Sequence, residues 1–122
     1  MAEIKYTFSE LLVTGKTNPI KLIALEGILD ESNADDFAPK VYEVIEQMPE
    51  QTSVILDLEK LSYMNSKSIG YISSIYEDIA ENDWNMYICN NNENVAEILD
   101  MVWMWEYIPM TKTIDEAIEA LS

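Results

Sequence analysis

The sequence contains no histidine, a single cysteine, three glycines and only 7 basic residues against 23 acidic ones. Each shortage removes a class of function. Without histidine there is no imidazole to activate a serine or cysteine nucleophile, so Ser–His and Cys–His chemistry is excluded. The one cysteine, Cys89, cannot close an internal disulfide and fits a reducing compartment. Within Met86–Cys89, an apolar strand-like run, it reads as a small buried hydrophobe. No glycine-rich loop is present to cradle a phosphate. No stretch approaches the ~20 apolar residues of a membrane span. The opening Met-Ala-Glu-Ile-Lys-Tyr lacks the charged and apolar regions of a secretory signal. These absences lead to the expectation of a cytoplasmic, non-enzymatic protein with no cofactor, no metal and no membrane insertion.

The net charge of −16 repels nucleic-acid phosphates and anionic lipid, so a basic protein surface is the expected partner. Solubility alone accounts for part of that charge. With 48% apolar residues in 122, the chain can bury one continuous core, and a single domain over 1–122 is expected.

The organising stretch is Val54-Ile-Leu-Asp-Leu-Glu-Lys-Leu-Ser-Tyr-Met-Asn65-Ser66-Lys67-Ser68-Ile69-Gly70. Val54, Ile55, Leu56 and Leu58 have the near-continuous apolar character of a strand covered on both faces. Asn65 and Ser66 are cap residues, and Ile69, Ile72, Ile75, Tyr76 and Ile79 then recur at helical spacing. A polar loop between a buried strand and a helix N-terminus displays unpaired N–H groups, which makes it the natural place for function.

Around this stretch, residues 3–13 alternate as an amphipathic, edge-type strand. The segment 14–19 is a turn by composition, and Ile20 to Leu25 form a second strand closed by Gly27 that could pair with the first as a hairpin. A helix carries Phe37, Val41, Val44, Ile45 and Met48; Pro39 requires it to begin near Asp35 or Asp36, or to kink. The helix after residue 65 runs to about Asn82. Further expected elements are a strand at 85–90, a turn at 90–92, a helix with Val95, Ile98, Leu99 and Val102 inward, and an edge strand at 105–110 broken by Pro109. Thr113 caps a final helix, with Glu116 at the reciprocal capping-box position. The class is α/β: a mixed sheet of about four or five strands packed with about four helices.

Gly27-Ile-Leu29-Asp30, the strand 54–61, Tyr63-Met64-Asn65-Ser66-Lys67-Ser68-Ile69-Gly70 and the closing Thr113-Ile-Asp-Glu-Ala117-Ile stand in the order of one known family. The chain resembles a STAS domain, the module of bacterial anti-sigma factor antagonists and sulfate-transporter tails, from about residue 20 onward. The resemblance implies docking, through Asp30 and the loop of Asn65, Ser66, Lys67, Ser68 and Gly70, on an anti-sigma factor with a histidine-kinase-like ATPase fold. It also implies a switch, in which that partner phosphorylates the second hydroxyl residue of an Asp-Ser-Ser/Thr-Gly motif. Here the motif reads Asn65-Ser66-Lys67-Ser68, so lysine replaces the phospho-acceptor. A shifted site would fall on Ser66 or Ser68, against simple capping as the plainer role.

A cation in the first helical turn opposes the helix dipole. Lys67 therefore either has a compensating acid, with Asp30 and Asp57 as candidates, or serves a partner. The alternative function is an adaptor or scaffold subunit of a transport or stress-signalling complex that lacks the phosphoswitch, with a small-ligand-binding STAS domain as an outsider. Asp57 and Glu59 sit at the strand end as in a response-regulator receiver, but the acidic pair and Lys-Pro of that fold are absent. Asp30, Glu31, Asp35 and Asp36 lack calcium-loop spacing and read as helix N-terminal charge. Met101-Val-Trp-Met-Trp-Glu-Tyr107 carries too many large side chains for one face, and is a candidate self-association surface.

Overall fold

A computed structural model of the chain describes residues 4–11, 20–30, 32–47, 53–81, 85–89 and 109–121. Its elements run β1 (Ile4–Leu11), β2 (Ile20–Leu29), α1 (Ala34–Glu46), β3 (Ser53–Met64), α2 (Ser66–Glu81), β4 (Met86–Cys89), β5 (Met110–Thr111) and α3 (Ile114–Leu121). The strands form one sheet in the order β1-β2-β3-β4-β5, with β1 antiparallel to β2 and every other pair parallel. The expected α/β mixed sheet is thus present, with three helices among the described residues. The helix expected over 95–102, the turns at 14–19 and 90–92, and the Met101–Tyr107 cluster lie outside them.

The hairpin follows from strict alternation. Ile4, Tyr6 and Phe8 pack against the core while Lys5, Thr7 and Ser9 face solvent, and the register runs from Ile4 opposite Gly27 to Leu11 opposite Ile20. Gly27 does not close β2. With φ 111° it occupies the left-handed region open to glycine, and register shifts against β3 flank it at Ala24/Glu26 and Gly27/Ile28. The strand bends there and continues to Leu29.

β3 is paired along both edges with parallel neighbours and covered on both faces by helices. Val54, Leu56 and Leu58 join Phe37, Val41, Ile69, Ile72 and Ile79 in the core under α1 and α2. Ile55, pointing the other way, meets Ile20, Cys89 and the α3 residues Ala117 and Leu121. β3 also runs past the expected end, because Leu61 and Met64 are buried again beyond the exposed pair Glu59 and Lys60. Asp57 and Glu59 therefore lie inside the strand, not at its end; Asp57 Oδ1 accepts a local bond from Glu59 N at 3.0 Å.

Two helix starts fall where expected and differ only in local bonding. α1 begins at Ala34, so Pro39 falls in its second turn and forgoes the backbone bond to the Asp35 carbonyl. At α3, Glu116 N donates to Thr113 Oγ1 at 3.1 Å as expected, but the Glu116 carboxylate accepts from Lys112 N, one residue before the cap. None of the described helices is long and apolar enough to cross a membrane.

Candidate functional site

The site grows from the end of β2. Leu29 is buried, and its carbonyl accepts both Asn65 N at 3.1 Å and Ser68 Oγ at 3.3 Å. One backbone oxygen thereby ties the β2 terminus to the β3–α2 junction. Asn65, now a one-residue loop, is the N-cap of α2: its Oδ1 accepts Ser68 N at 2.9 Å and Ser68 Oγ at 2.6 Å. Ser68 is completely buried by this arrangement. Position 66 opens α2, and its side chain lies outside the described set.

The turn after Leu29 is built by Asn33. Its side chain accepts Asp30 N at 3.0 Å and donates to the Ile28 carbonyl at 2.9 Å, instead of capping α1. Asp30 stands half-buried in front of it, accepting Ser32 N at 2.8 Å and Ser32 Oγ at 2.6 Å. Those bonds, the side-chain one first, hold its carboxyl below the usual range.

Lys67 projects from the first turn of α2 and reaches α1. Its Nζ lies 2.8 Å from Asp35 Oδ1 and 3.1 Å from Oδ2. Tyr71, one turn along the same face, donates its hydroxyl to Asp35 Oδ1. The compensating acid is therefore Asp35, where the sequence offered Asp30 and Asp57 as candidates. The Lys67 bond, then the Tyr71 bond, lower the Asp35 pKa, and the Asp35 bond raises that of Tyr71. The expected role of Asp35 as helix N-terminal charge holds too, since Asp35 and Asp36 occupy the first turn of α1.

Beside this polar cluster lies apolar surface. Ile28 and Tyr63 are register partners on β2 and β3, 38% and 46% exposed. Gly70, in the second turn of α2, is half-buried and opens onto space: a Cβ added there meets nothing within 4 Å. The structure thus gathers Asp30, Asn65, Lys67, Ser68 and Gly70 at one end of the sheet and adds Asp35, Tyr71, Ile28 and Tyr63. Sequence offered one clue to the additions, the Lys67/Tyr71 spacing on one helix face. No group of three or more metal-ligating side chains occurs among the described residues.

A family model for the STAS domain matches residues 12–117. The chain belongs to the STAS domain family. Among STAS relatives it is similar to an anti-sigma F factor antagonist of Paenibacillus polymyxa, 27% identical over 103 residues that cover 84% of this chain and 85% of that protein. Its fold matches an anti-sigma factor antagonist from Mycobacterium paratuberculosis with a TM-score of 0.80 at 14% identity, covering 97% of this chain and 93% of that one. It also matches the Bacillus cell fate determinant SpoIIAA in its phosphorylated form, with a TM-score of 0.63 at 20% identity over 95% of this chain and 100% of that one. This STAS chain is an anti-sigma factor antagonist-like domain, and its junction between β3 and α2 carries a lysine–carboxylate pair.

Proposed function

We propose that the chain is a non-catalytic, single-domain binding protein of the cytoplasm that docks on an anti-sigma factor with a histidine-kinase-like ATPase fold. Docking uses Asp30, the Asn65–Gly70 segment and the exposed face of α2, with Ile28 and Tyr63 as the apolar ground beside them. The observation that carries this reading is the placement of Lys67, half-exposed at the start of α2 where the family's phospho-acceptor is expected. An amine there accepts no phosphate from a serine kinase, so the protein stays in the binding-competent form. A shifted switch at Ser68 is disfavoured by its burial, because a kinase would have to unwind the first turn of α2 to reach the hydroxyl.

A second reading is favoured by one observation. Asp35 already neutralises Lys67 within the chain, so the lysine needs no partner for its charge. On that reading the domain is a constitutive adaptor in a larger complex. The experiment is affinity capture from native lysate with the bait's intact mass read in parallel. Recovery of a kinase-like ATPase with an unmodified bait supports the antagonist; a bait heavier by one phosphate overturns the locked state. Transport or scaffold subunits without an ATPase establish the adaptor.

A further inference from the structure

We infer that Asn33 is the positioning residue of the docking corner: its buried side chain takes the place of a strand beside the end of β2, and so holds Asp30 and the start of α1 in the geometry a partner meets. The inference rests on the docking reading above and names the residue from which that surface hangs. Two of the three buried polar side chains among the described residues, Asn33 and Ser68, lie in this corner. A buried carboxamide needs partners for its donors and its acceptor, so the groups it bonds define what it does.

The pairing of β1 with β2 ends at Ile4 opposite Gly27, so among the described residues no strand covers that edge of β2 further on. The β3 side is covered, and there the Leu29 carbonyl accepts Asn65 N at 3.1 Å. Successive carbonyls of a strand point to opposite edges, which turns the Ile28 carbonyl towards the side that β1 has left. Asn33 Nδ2 donates to that carbonyl at 2.9 Å, and Asn33 Oδ1 accepts Asp30 N at 3.0 Å. A carbonyl and the N–H two residues on are the pair that one residue of a parallel neighbour engages. The carboxamide thus supplies the ladder rung that no strand supplies.

The backbone of the same residue works forward. Asn33 N donates to the Asp30 carbonyl at 3.2 Å and closes the turn, and the Asn33 carbonyl accepts Asp36 N at 3.1 Å and Phe37 N at 3.0 Å to open α1. Phe37 is completely buried, so the first turn of α1 is pinned to β2 at one end and to the core at the other. Asp35 lies between these points, with Lys67 Nζ 2.8 Å from its Oδ1. Asn33 therefore sets Asp30 directly, and the Asp35–Lys67 pair through α1. Its side chain makes no cap bond to that helix, although asparagine is among the best capping residues. A side chain kept from its usual role serves the turn in front of the helix.

The test uses the full chain and the kinase-like ATPase recovered by capture, with Asn33→Ser and Asn33→Ala set beside the native protein. Serine caps well but is too short to bridge Asp30 N and the Ile28 carbonyl; alanine neither caps nor bridges. Both should speed hydrogen exchange at the Asp30 amide. Both should also raise the Asp30 carboxyl midpoint towards its ordinary value, because the Ser32 bonds that lower it belong to the same turn. Affinity should fall several-fold in each, while only Asn33→Ala melts clearly lower. If Asn33 served stability alone, affinity would follow the melting temperature and Asn33→Ser would bind like the native chain, which overturns the inference. An Asp30 amide and carboxyl indifferent to both substitutions overturn it as well. Native affinity beside a disturbed Asp30 overturns the positioning role and leaves the docking reading standing. A native chain that captures no ATPase overturns the docking reading itself, and the role of Asn33 with it.

Discussion

Asp35 of α1 and Lys67 of α2, separated by 32 residues in sequence, meet with a nitrogen–oxygen distance of 2.8 Å at the outer end of the sheet. The pair bridges two helices through side chains that are each half-exposed or more, so it orients the surface more than it stabilises the fold.

The Asp35 carboxylate should titrate below its ordinary 3.8, because the Lys67 bond and then the Tyr71 bond favour its charged form. The sign follows directly: the bridge is present above the unfolded value and is lost as pH falls through the depressed folded one. Carboxyl-carbon NMR titration checks this. Lys67→Met should move the midpoint up towards the ordinary value, and Tyr71→Phe should do so by less. An unshifted midpoint in the native protein would mean the bridge does not persist in solution.

Ser68 tests whether the junction is structural. Ser68→Ala leaves the Asn65 side chain with one bond fewer and should cost about 1–2 kcal/mol in urea unfolding. Ser68→Asp forces a charge into a buried site and should cost several times more. Equal stability of all three proteins would show that the hydroxyl is not buried in solution.

Gly70 gives the opposite sign. Its missing side chain faces open space inside a helix, so Gly70→Ala should stabilise the chain by about 0.5–1 kcal/mol. If the anti-sigma factor packs on the bare backbone there, the same variant loses affinity while gaining stability. Calorimetric binding and thermal melts, run on one preparation, separate the two effects.

Replacing Lys67 by Glu reverses the charge at the start of α2, in the middle of the proposed docking surface. Affinity for the docking partner should fall by about tenfold or more, with a nearly unchanged thermal midpoint. Titration calorimetry reads the first quantity and a melt the second; unaltered affinity removes Lys67 from the interface.

Cys89 should resist thiol reagents in the native state. It is buried, its sulfur lies 3.3 Å from the Thr113 carbonyl and 3.4 Å from Thr111 Oγ1, and burial pushes its pKa up. Labelling kinetics should therefore follow local opening of the β4–β5 side, and a burst of labelling in native buffer would contradict this packing.

Much of the architecture was legible because it rests on local pattern. The run Val54–Leu58 announced a strand buried on both faces, and Asn65 announced the helix after it. What escaped was non-local or broke period. Glu59 and Lys60 expose two residues in succession at a bulge, which looks like a strand end until Leu61 and Met64 return to the core. Gly27 reads as a stop, yet its left-handed backbone lets β2 bend and continue. Asp35 could not be paired with Lys67 from sequence, because nothing local says that α1 and α2 lie side by side. Tyr71 and Ile28 joined the site for the same reason.

The sheet is lopsided. β2 and β3 span 10 and 12 residues, whereas β4 has 4 and β5 only 2 among the described residues. Deuterium should therefore enter first at Met110–Thr111 and last at the centre of β3, in a gradient across the strands. The Leu29 carbonyl that anchors Asn65 and Ser68 belongs to the slow half. On that gradient the corner bearing Lys67 would keep its shape even when the far edge opens, so a partner would meet a preformed surface.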